Sequence, residues 1–254
     1  MKRHFWIVIA AVALSACAKV PYTDRRQLNL ISGDQEIQLG TEAYAEALKA
    51  NKISAKADYQ SRVKNVGARI AAAAEKPEYK WEFNVLESKD VNAWCLPGGK
   101  VAFYEGIMPI CQNDNGIAVV MGHEVAHALA HHGAERMSQG MGANLIAEVL
   151  SVGLGKAQPG VKENVMKLYG VSTQVGVLLP FGRAQESEAD HIGLILMAKA
   201  GYDPNGAVDF WKRMEAQAGG GKTPEFLSTH PSGERRIQQI QEWLPEVMKY
   251  YRQP

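Results

Sequence analysis

The apolar and polar positions divide the chain into a leader, an extended stretch and a mainly helical body with a small sheet near its start. Phe5 to Leu14 is an unbroken apolar run, too short to cross a bilayer. Residues 18–31 carry no period and read as an extended, polar tether. Ser32 with Gln35 three residues on is a capping-box pattern and predicts a helix from Gly33 to Asn51. Tyr59, Val63, Val66 and Ile70 recur at helical spacing and predict a second helix, ending before Pro77. Trp81, Phe83 and Val85 alternate with polar neighbours, as in a half-buried strand. Val91 to Leu96 and Lys100 to Tyr104, parted by Pro97-Gly98-Gly99, read as a hairpin. Asp114 is placed as the cap of a helix carrying Ile117 through about Met137. After a Gly-rich, weakly patterned stretch over 140–182, helices are expected from Ala184 to Ala200 and from the Asp203-Pro204 cap to Ala218. A last helix, from about Ser232, turns Ile237, Ile240, Leu244 and Met248 inward. The fold class is α+β, mostly helical.

Composition narrows the functions on offer. With 28 basic against 27 acidic residues, the formal net charge is +1, and no stretch has a nucleic-acid footprint, so no nucleic-acid partner is expected. At 46% hydrophobic, residues 32–254 suffice for one domain with one sizeable core. Lys2 and Arg3, the apolar run and Ser15-Ala16 are laid out as a signal peptide, residues 1–16. Leu14-Ser15-Ala16-Cys17 resembles the lipobox of bacterial lipoproteins. That resemblance implies acylation of Cys17, with 17–31 as lipidated N-terminus and tether; plain signal cleavage is the alternative. Ala18 resembles the sorting residue of outer-membrane lipoproteins. Cys95 and Cys111 would then sit where disulfides persist, and their spacing leaves pairing open.

The chemistry concentrates at His123-Glu124-Val125-Ala126-His127. On a helix, His127 lies about 40° round from His123 and one turn along, so both imidazoles can reach one ion, and neutral imidazole suits zinc. Glu124, at the edge of that face, can take a proton from a water polarised by the metal. The preceding Ile117 to Gly122 predicts a buried helix, where unpaired histidines would be costly. His131 shares the face but lies about 6 Å too far along, and His132 points away. Both are expected at the surface or as supporting groups.

A catalytic zinc needs a third protein ligand. The metzincin spacing fails, because its third histidine would fall on Gly133. Glu148 has a thermolysin-like spacing but an apolar setting, Leu145 to Leu150. Glu186-Ser187-Glu188-Ala189-Asp190 fits better: Glu186 and Asp190 are i and i+4, so one can bind zinc while the other holds a ligand histidine by its second nitrogen. Glu188 falls about 160° from that face and is expected in solvent.

His123-Glu-x-x-His127 followed by Glu186-x-x-Ala-Asp190 resembles the gluzincin metallopeptidase family of the CAAX prenyl protease and HtpX-type proteases. Within it, the chain resembles a soluble, lipoprotein-type bacterial member related to the mitochondrial inner-membrane stress protease. The likeness takes in Val91 to Val101, Ser228-Thr229-His230-Pro231 and Arg236. It implies a zincin-type domain with a small sheet beside the zinc helix, and one zinc ion per chain held by His123, His127 and Glu186. Asp190 is then the supporting carboxylate and Glu124 the general base. Asn92 and Ala93 lead into an edge strand that could bind a substrate backbone; alternatively, Asn92 merely caps a turn. His230 and Arg236 could stabilise the oxyanion over the metal. Alternatively, Arg236 pairs with Asp190, and His230 closes the open position in a resting enzyme.

The expectation is a zinc endopeptidase lipid-anchored in a bacterial envelope, at the outer membrane facing the periplasm, with unfolded or misassembled envelope proteins as substrates. The competing reading is an envelope chaperone or assembly factor with a structural or latent zinc site. Oligomeric state is not encoded in any pattern found.

Overall fold

The computed structural model describes residues 17–140, 182–218, 224–230 and 234–251. The proposed leader, Glu148 and the Gly-rich stretch from 141 fall outside the described residues. Two short strands, β1 (Cys17–Lys19) and β2 (Arg26–Leu28), pair antiparallel. They are extended, as expected, but the segment is docked and not a free tether: Val20 and Gln27 are buried, and Gln27 donates to the Ala130 carbonyl at 2.8 Å.

Helix α1 (Gly33–Ala50) opens with the expected capping box. Ser32 Oγ accepts from the Gln35 N–H at 3.3 Å, and Gln35 Oε1 accepts from the Ser32 N–H at 3.1 Å. Helix α2 (Ala57–Ala74) buries Val63, Val66 and Ile70 at the predicted spacing. Strands β3 (Glu82–Leu86), β4 (Ala93–Leu96) and β5 (Lys100–Tyr104) form a sheet of order β3-β5-β4. Central β5 is parallel to β3 and forms the expected hairpin with β4, which leaves β4 at an edge.

A short helix α3 (Met108–Cys111) leads to α4 (Asp114–Leu129), buried from Gly116 onward. Its cap is Asn113, not Asp114: Asn113 is extended and its Oδ1 accepts from Gly116, while Asp114 instead takes Arg62 Nε at 2.8 Å. Nor does α4 run to Met137. His131 is left-handed at φ 53, which breaks the helix before it resumes over 132–140.

Helix α5 (Arg183–Lys199) crosses α4 at two glycines, Gly122 against Gly193, so close that a Cβ on either would strike backbone. Next come α6 (Gly206–Ala218), α7 (Glu225–Thr229) and α8 (Glu234–Val247). Asp203 does not cap α6 as expected: its Oδ1 accepts from the N–H of Asn205 at 3.0 Å, in a turn that precedes the helix. In α8, Ile240 and Val247 are buried, whereas Met248 lies past the helix end and is exposed. The main core joins α2, α4, α5 and α6 with one face of the sheet. Among the described residues, no helix is long and apolar enough to cross a membrane. Cys95, half-buried, and Cys111, buried, are free thiols.

Candidate metal centre

The α4–α5 crossing decides which polar groups meet. His123 and His127 sit one turn apart on α4, and Glu186 and Asp190 one turn apart on α5. Close glycine contact lets those two faces approach. The segment after α7 then brings in His230. The candidate ligand atoms of His123, His127, Glu186 and His230 all lie within 4.8 Å of one another. His123 Nε2 is 3.1 Å from both His127 Nε2 and His230 Nδ1, and Glu186 Oε1 is 2.9 Å from His230 Nδ1 and 3.3 Å from His127 Nε2.

Four donors at a tetrahedron's corners about zinc would be roughly 3.3 Å apart, given metal–nitrogen bonds near 2.0–2.1 Å. The four distances given, 2.9–3.3 Å, are close to that edge length. Glu186 Oε2 and Glu124 Oε1 are buried and make no hydrogen bond, only ion-pair contacts to Arg236 Nη2 at 3.3 Å and His230 Nε2 at 3.4 Å, and a cation with its water would satisfy them more fully. The donor set therefore fits a zinc ion.

Charges around the cluster are arranged in pairs. Asp190 Oδ1 lies 2.9 Å from His123 Nδ1, an arrangement that fixes the proton on that nitrogen and turns the Nε2 lone pair inward. Arg236 grips Asp190 through Nε and Nη2, each at 2.7 Å, and sits over Trp211 with its guanidinium carbon 3.4 Å from the ring centre. The pairing expected of Arg236 with Asp190 is present. Its Nη2 is also 3.3 Å from Glu186 Oε2.

Burial disfavours charge on His123, but hydrogen bonds to Asp190 and Glu186 outweigh it and lift the imidazole to about 9, so a metal would have to displace the Nε2 proton to use that lone pair. Burial drives His127 well below the ordinary imidazole value. Burial opposes ionisation of Glu186 as well, yet its contacts with His123, His127 and His230 hold it far below the carboxylate range. Glu124 is raised by burial, against the pull of His230 and His123. Its Oε1 is 3.4 Å from His230 Nε2. A carboxyl biased toward holding a proton, beside a metal site, suits general acid–base work.

Asn92 is buried, and its Oδ1 accepts from the Ala93 N–H at 2.9 Å, so it caps the start of β4. Ala93 pairs with Phe103 in the β4–β5 ladder, leaving the other edge of β4 outside the sheet.

Two positions depart from expectation. Glu188 is buried and not in solvent, and it receives His132 Nε2 at 2.9 Å and Arg25 Nε at 2.8 Å. His132 does not point away: the helix break turns it back, with Nδ1 2.9 Å from His127 Nδ1. The same break sends His131 to Glu36 at 2.6 Å. No periodic pattern could reveal this, because the periodicity stops at the break.

A model of peptidase family M48 matches residues 57–244. The chain is 37% identical over 256 residues to the mitochondrial metalloendopeptidase OMA1 of Schizosaccharomyces pombe, which covers 97% of this chain and 74% of that protein. Identity to the Saccharomyces cerevisiae protein of that name is 32% over 254 residues, covering 92% of this chain and 71% of the relative. A putative beta-barrel assembly-enhancing protease of Vibrio cholerae is 28% identical over 244 residues, which span 91% of this chain and 49% of that protein. The chain belongs to peptidase family M48 and is a metalloendopeptidase.

Proposed function

We propose that this M48 peptidase is a zinc-dependent endopeptidase of a bacterial cell envelope, acting in quality control of envelope and outer-membrane proteins. The observation that carries the hydrolytic reading is the buried convergence of His123, His127 and Glu186, with Glu124 alongside. The envelope setting draws on the lipobox-like Cys17 and on relatives in Vibrio cholerae and Escherichia coli named for beta-barrel assembly. In this reading residues 1–16 are a signal peptide, Cys17 carries the lipid, and residues 32–254 form one peptidase domain.

His123, His127 and Glu186 hold one zinc ion. When bound, zinc supplies the Lewis acidity that polarises the scissile carbonyl and makes a water acidic. Glu124 takes that water's proton and returns it to the leaving amine. Asp190 keeps the His123 proton on Nδ1, and Arg236 holds Asp190 in place through Nε and Nη2. The outer edge of β4, beginning at Asn92 and Ala93, offers its backbone groups to an extended substrate as an added strand.

His230 supports a second statement about the same site. Its Nδ1 lies at a fourth donor place, where a water and a substrate carbonyl would have to enter, which supports a resting enzyme closed by His230. His230→Ala is then expected to raise proteolysis. Unchanged or lower proteolysis with unchanged metal geometry refutes the closure, and only a loss favours oxyanion stabilisation by His230.

The function is tested on casein with wild type and Glu124→Gln, zinc content being measured for both. Wild type is expected to cleave, and the variant to lose about 10²–10⁴-fold in rate while keeping its zinc. If both cleave alike, or neither does while each holds zinc, the chaperone or assembly-factor reading replaces the protease. Cys17→Ser should move the protein from the membrane fraction to the soluble one.

A further inference from the structure

Behind the candidate ligands runs a second hydrogen-bonded chain that the proposed reaction does not use. From His127 Nδ1 it passes to His132 Nδ1, and from His132 Nε2 to Oε2 of Glu188, each step 2.9 Å. The same Oε2 accepts from Arg25 Nε at 2.8 Å, and Thr23 donates to Oε1. The rest of the Arg25 guanidinium is forked on Glu135, at 2.7 and 2.9 Å. Gln185, at the start of α5, also donates to Glu135, at 2.7 Å. His132, Glu135 and Glu188 are all buried, so these groups are spent on each other and not on water.

The direction of the protons follows from the end of the chain. An ionised carboxylate only accepts, so Glu188, ringed by Arg25, Thr23 and His132, takes the Nε2–H of His132. A neutral imidazole carries one N–H, which leaves His132 Nδ1 bare to accept the Nδ1–H of His127. His127 Nε2, the nitrogen facing His123 and Glu186, then keeps its lone pair for a metal. With the chain reversed, Nε2 would carry the proton and could not ligate. His123 obtains the same tautomer directly from a carboxylate, Asp190. His127 obtains it through a relay that ends in a different element, the N-terminal hairpin.

We propose that His132 is the positioning residue for His127, oriented by Glu188 and, through it, by Arg25, so that the grip on zinc depends on the docked hairpin of residues 17–28. The proposal rests on the zinc reading above. It makes the segment next to Cys17 part of the metal site's support, and not a passive leash. Undocking it removes the Arg25 charge from two buried carboxylates and loosens the orientation of a ligand three hydrogen bonds away.

The test compares wild type, His132→Phe, His132→Asn and Arg25→Met. Zinc affinity is read by competition with a chromogenic chelator, coordination by the absorption spectrum of the cobalt(II)-loaded protein, and folding by circular dichroism. Phenylalanine keeps the volume and removes both nitrogens; asparagine sets an amide oxygen near the place of Nδ1. His132→Phe is expected to weaken zinc binding roughly 10–100-fold and to alter the cobalt spectrum, as losses behind a ligand histidine do. His132→Asn should recover most of the affinity and the wild-type spectrum. Arg25→Met should weaken zinc in the same direction. A folded His132→Phe that binds zinc like wild type overturns the proposal, and so does His132→Asn no tighter than His132→Phe. Wild-type affinity in Arg25→Met overturns the hairpin's part. If His132→Phe does not fold, His132→Asn is compared with His132→Gln, whose acceptor sits near Nε2 instead; equal affinities overturn the proposal. Wild type failing to bind zinc would refute the zinc reading itself, a result distinct from all of these.

Discussion

Gly193→Ala probes whether the helix crossing makes the site. A Cβ at Gly193 would lie 2.8 Å from the His123 N and 2.9 Å from the Gly122 carbonyl carbon, where ordinary contacts begin at 3.4 Å. Both are main-chain atoms and cannot rotate aside, so the methyl group must part α4 and α5 by about 0.6 Å or more in an otherwise close-packed core. Glu186 and Asp190 ride on the helix that moves; His123 and His127 ride on the other. Metal–ligand distances tolerate only about ±0.2 Å, so the displacement is several times what the site can absorb. Overpacking alone should cost about 1–3 kcal/mol of stability. Zinc affinity should fall at least tenfold, and casein cleavage at saturating zinc about 10²-fold, the usual consequence of an ångström-scale misplacement. Denaturant melts, chelator competition and cleavage rates measure the three effects. Gly133→Ala is the control, since a Cβ there meets nothing within 4 Å. A Gly193→Ala protein with wild-type zinc affinity and turnover refutes the claim that backbone contact between α4 and α5 sets the metal geometry.

Asp190→Asn removes the charge that fixes the His123 proton and releases Arg236, so zinc affinity should drop roughly 10–100-fold in chelator competition; unchanged affinity refutes the support role. Burial would raise the Glu188 carboxyl, but His132, Thr23 and Arg25 hold it at about 2, below its ordinary 4.5. A depressed carboxylate stabilises the fold above its unfolded value, so stability should fall as pH drops from about 4.5 toward 2, by about 1–2 kcal/mol once screening near the half-exposed Arg25 is allowed for. Denaturant melts across that range should show a smaller fall in Glu188→Gln, which is weaker already at neutral pH, than in wild type, the remainder coming from Glu186 and Asp190. Burial pushes the Cys111 thiol up to about 12 and Cys95 well above its ordinary value, so a thiol reagent at pH 8 should label neither rapidly in the native protein and both after unfolding. Rapid native labelling of Cys111 refutes that burial.

Much of this arrangement is legible from local spacing. The capping box at Ser32, the His123–His127 pair and the Glu186–Asp190 pair each need only a regular helix to bring two side chains onto one face, and each helix is regular where it matters. The hairpin around Gly98 and Gly99 is legible for a related reason: both glycines adopt φ 82, a left-handed conformation that the Pro-Gly-Gly string favours. His131 shows where such reading stops. A histidine at φ 53 is uncommon, and the sequence marks a break no earlier than Gly133. Extending the helix through it exchanges the two histidines, sending His131 toward the ligand face and His132 outward, the opposite of the structure.

Glu188 fails for a different reason. The turn angle along α5 is right, and Glu188 does face away from Asp190; what the angle cannot say is what covers that side. The cover is the N-terminal hairpin, more than a hundred and sixty residues earlier, whose Arg25 and Thr23 meet Glu188. One cue was available. The first turns of α5 read Arg-Ala-Gln-Glu-Ser-Glu-Ala-Asp-His, polar on nearly every side, while the rest, Ile192 to Ala198, is apolar on nearly every side. A helix whose second half is enclosed cannot easily leave its first half in water. Gln185, Glu186, Glu188 and Asp190 are indeed all buried. Burying three carboxylates within five residues is tenable only where cations, imidazoles or a metal answer each one. Such a polar start to an enclosed helix therefore points to partners on both sides: His123 and His127 on one, and Arg25, invisible to any helical wheel, on the other.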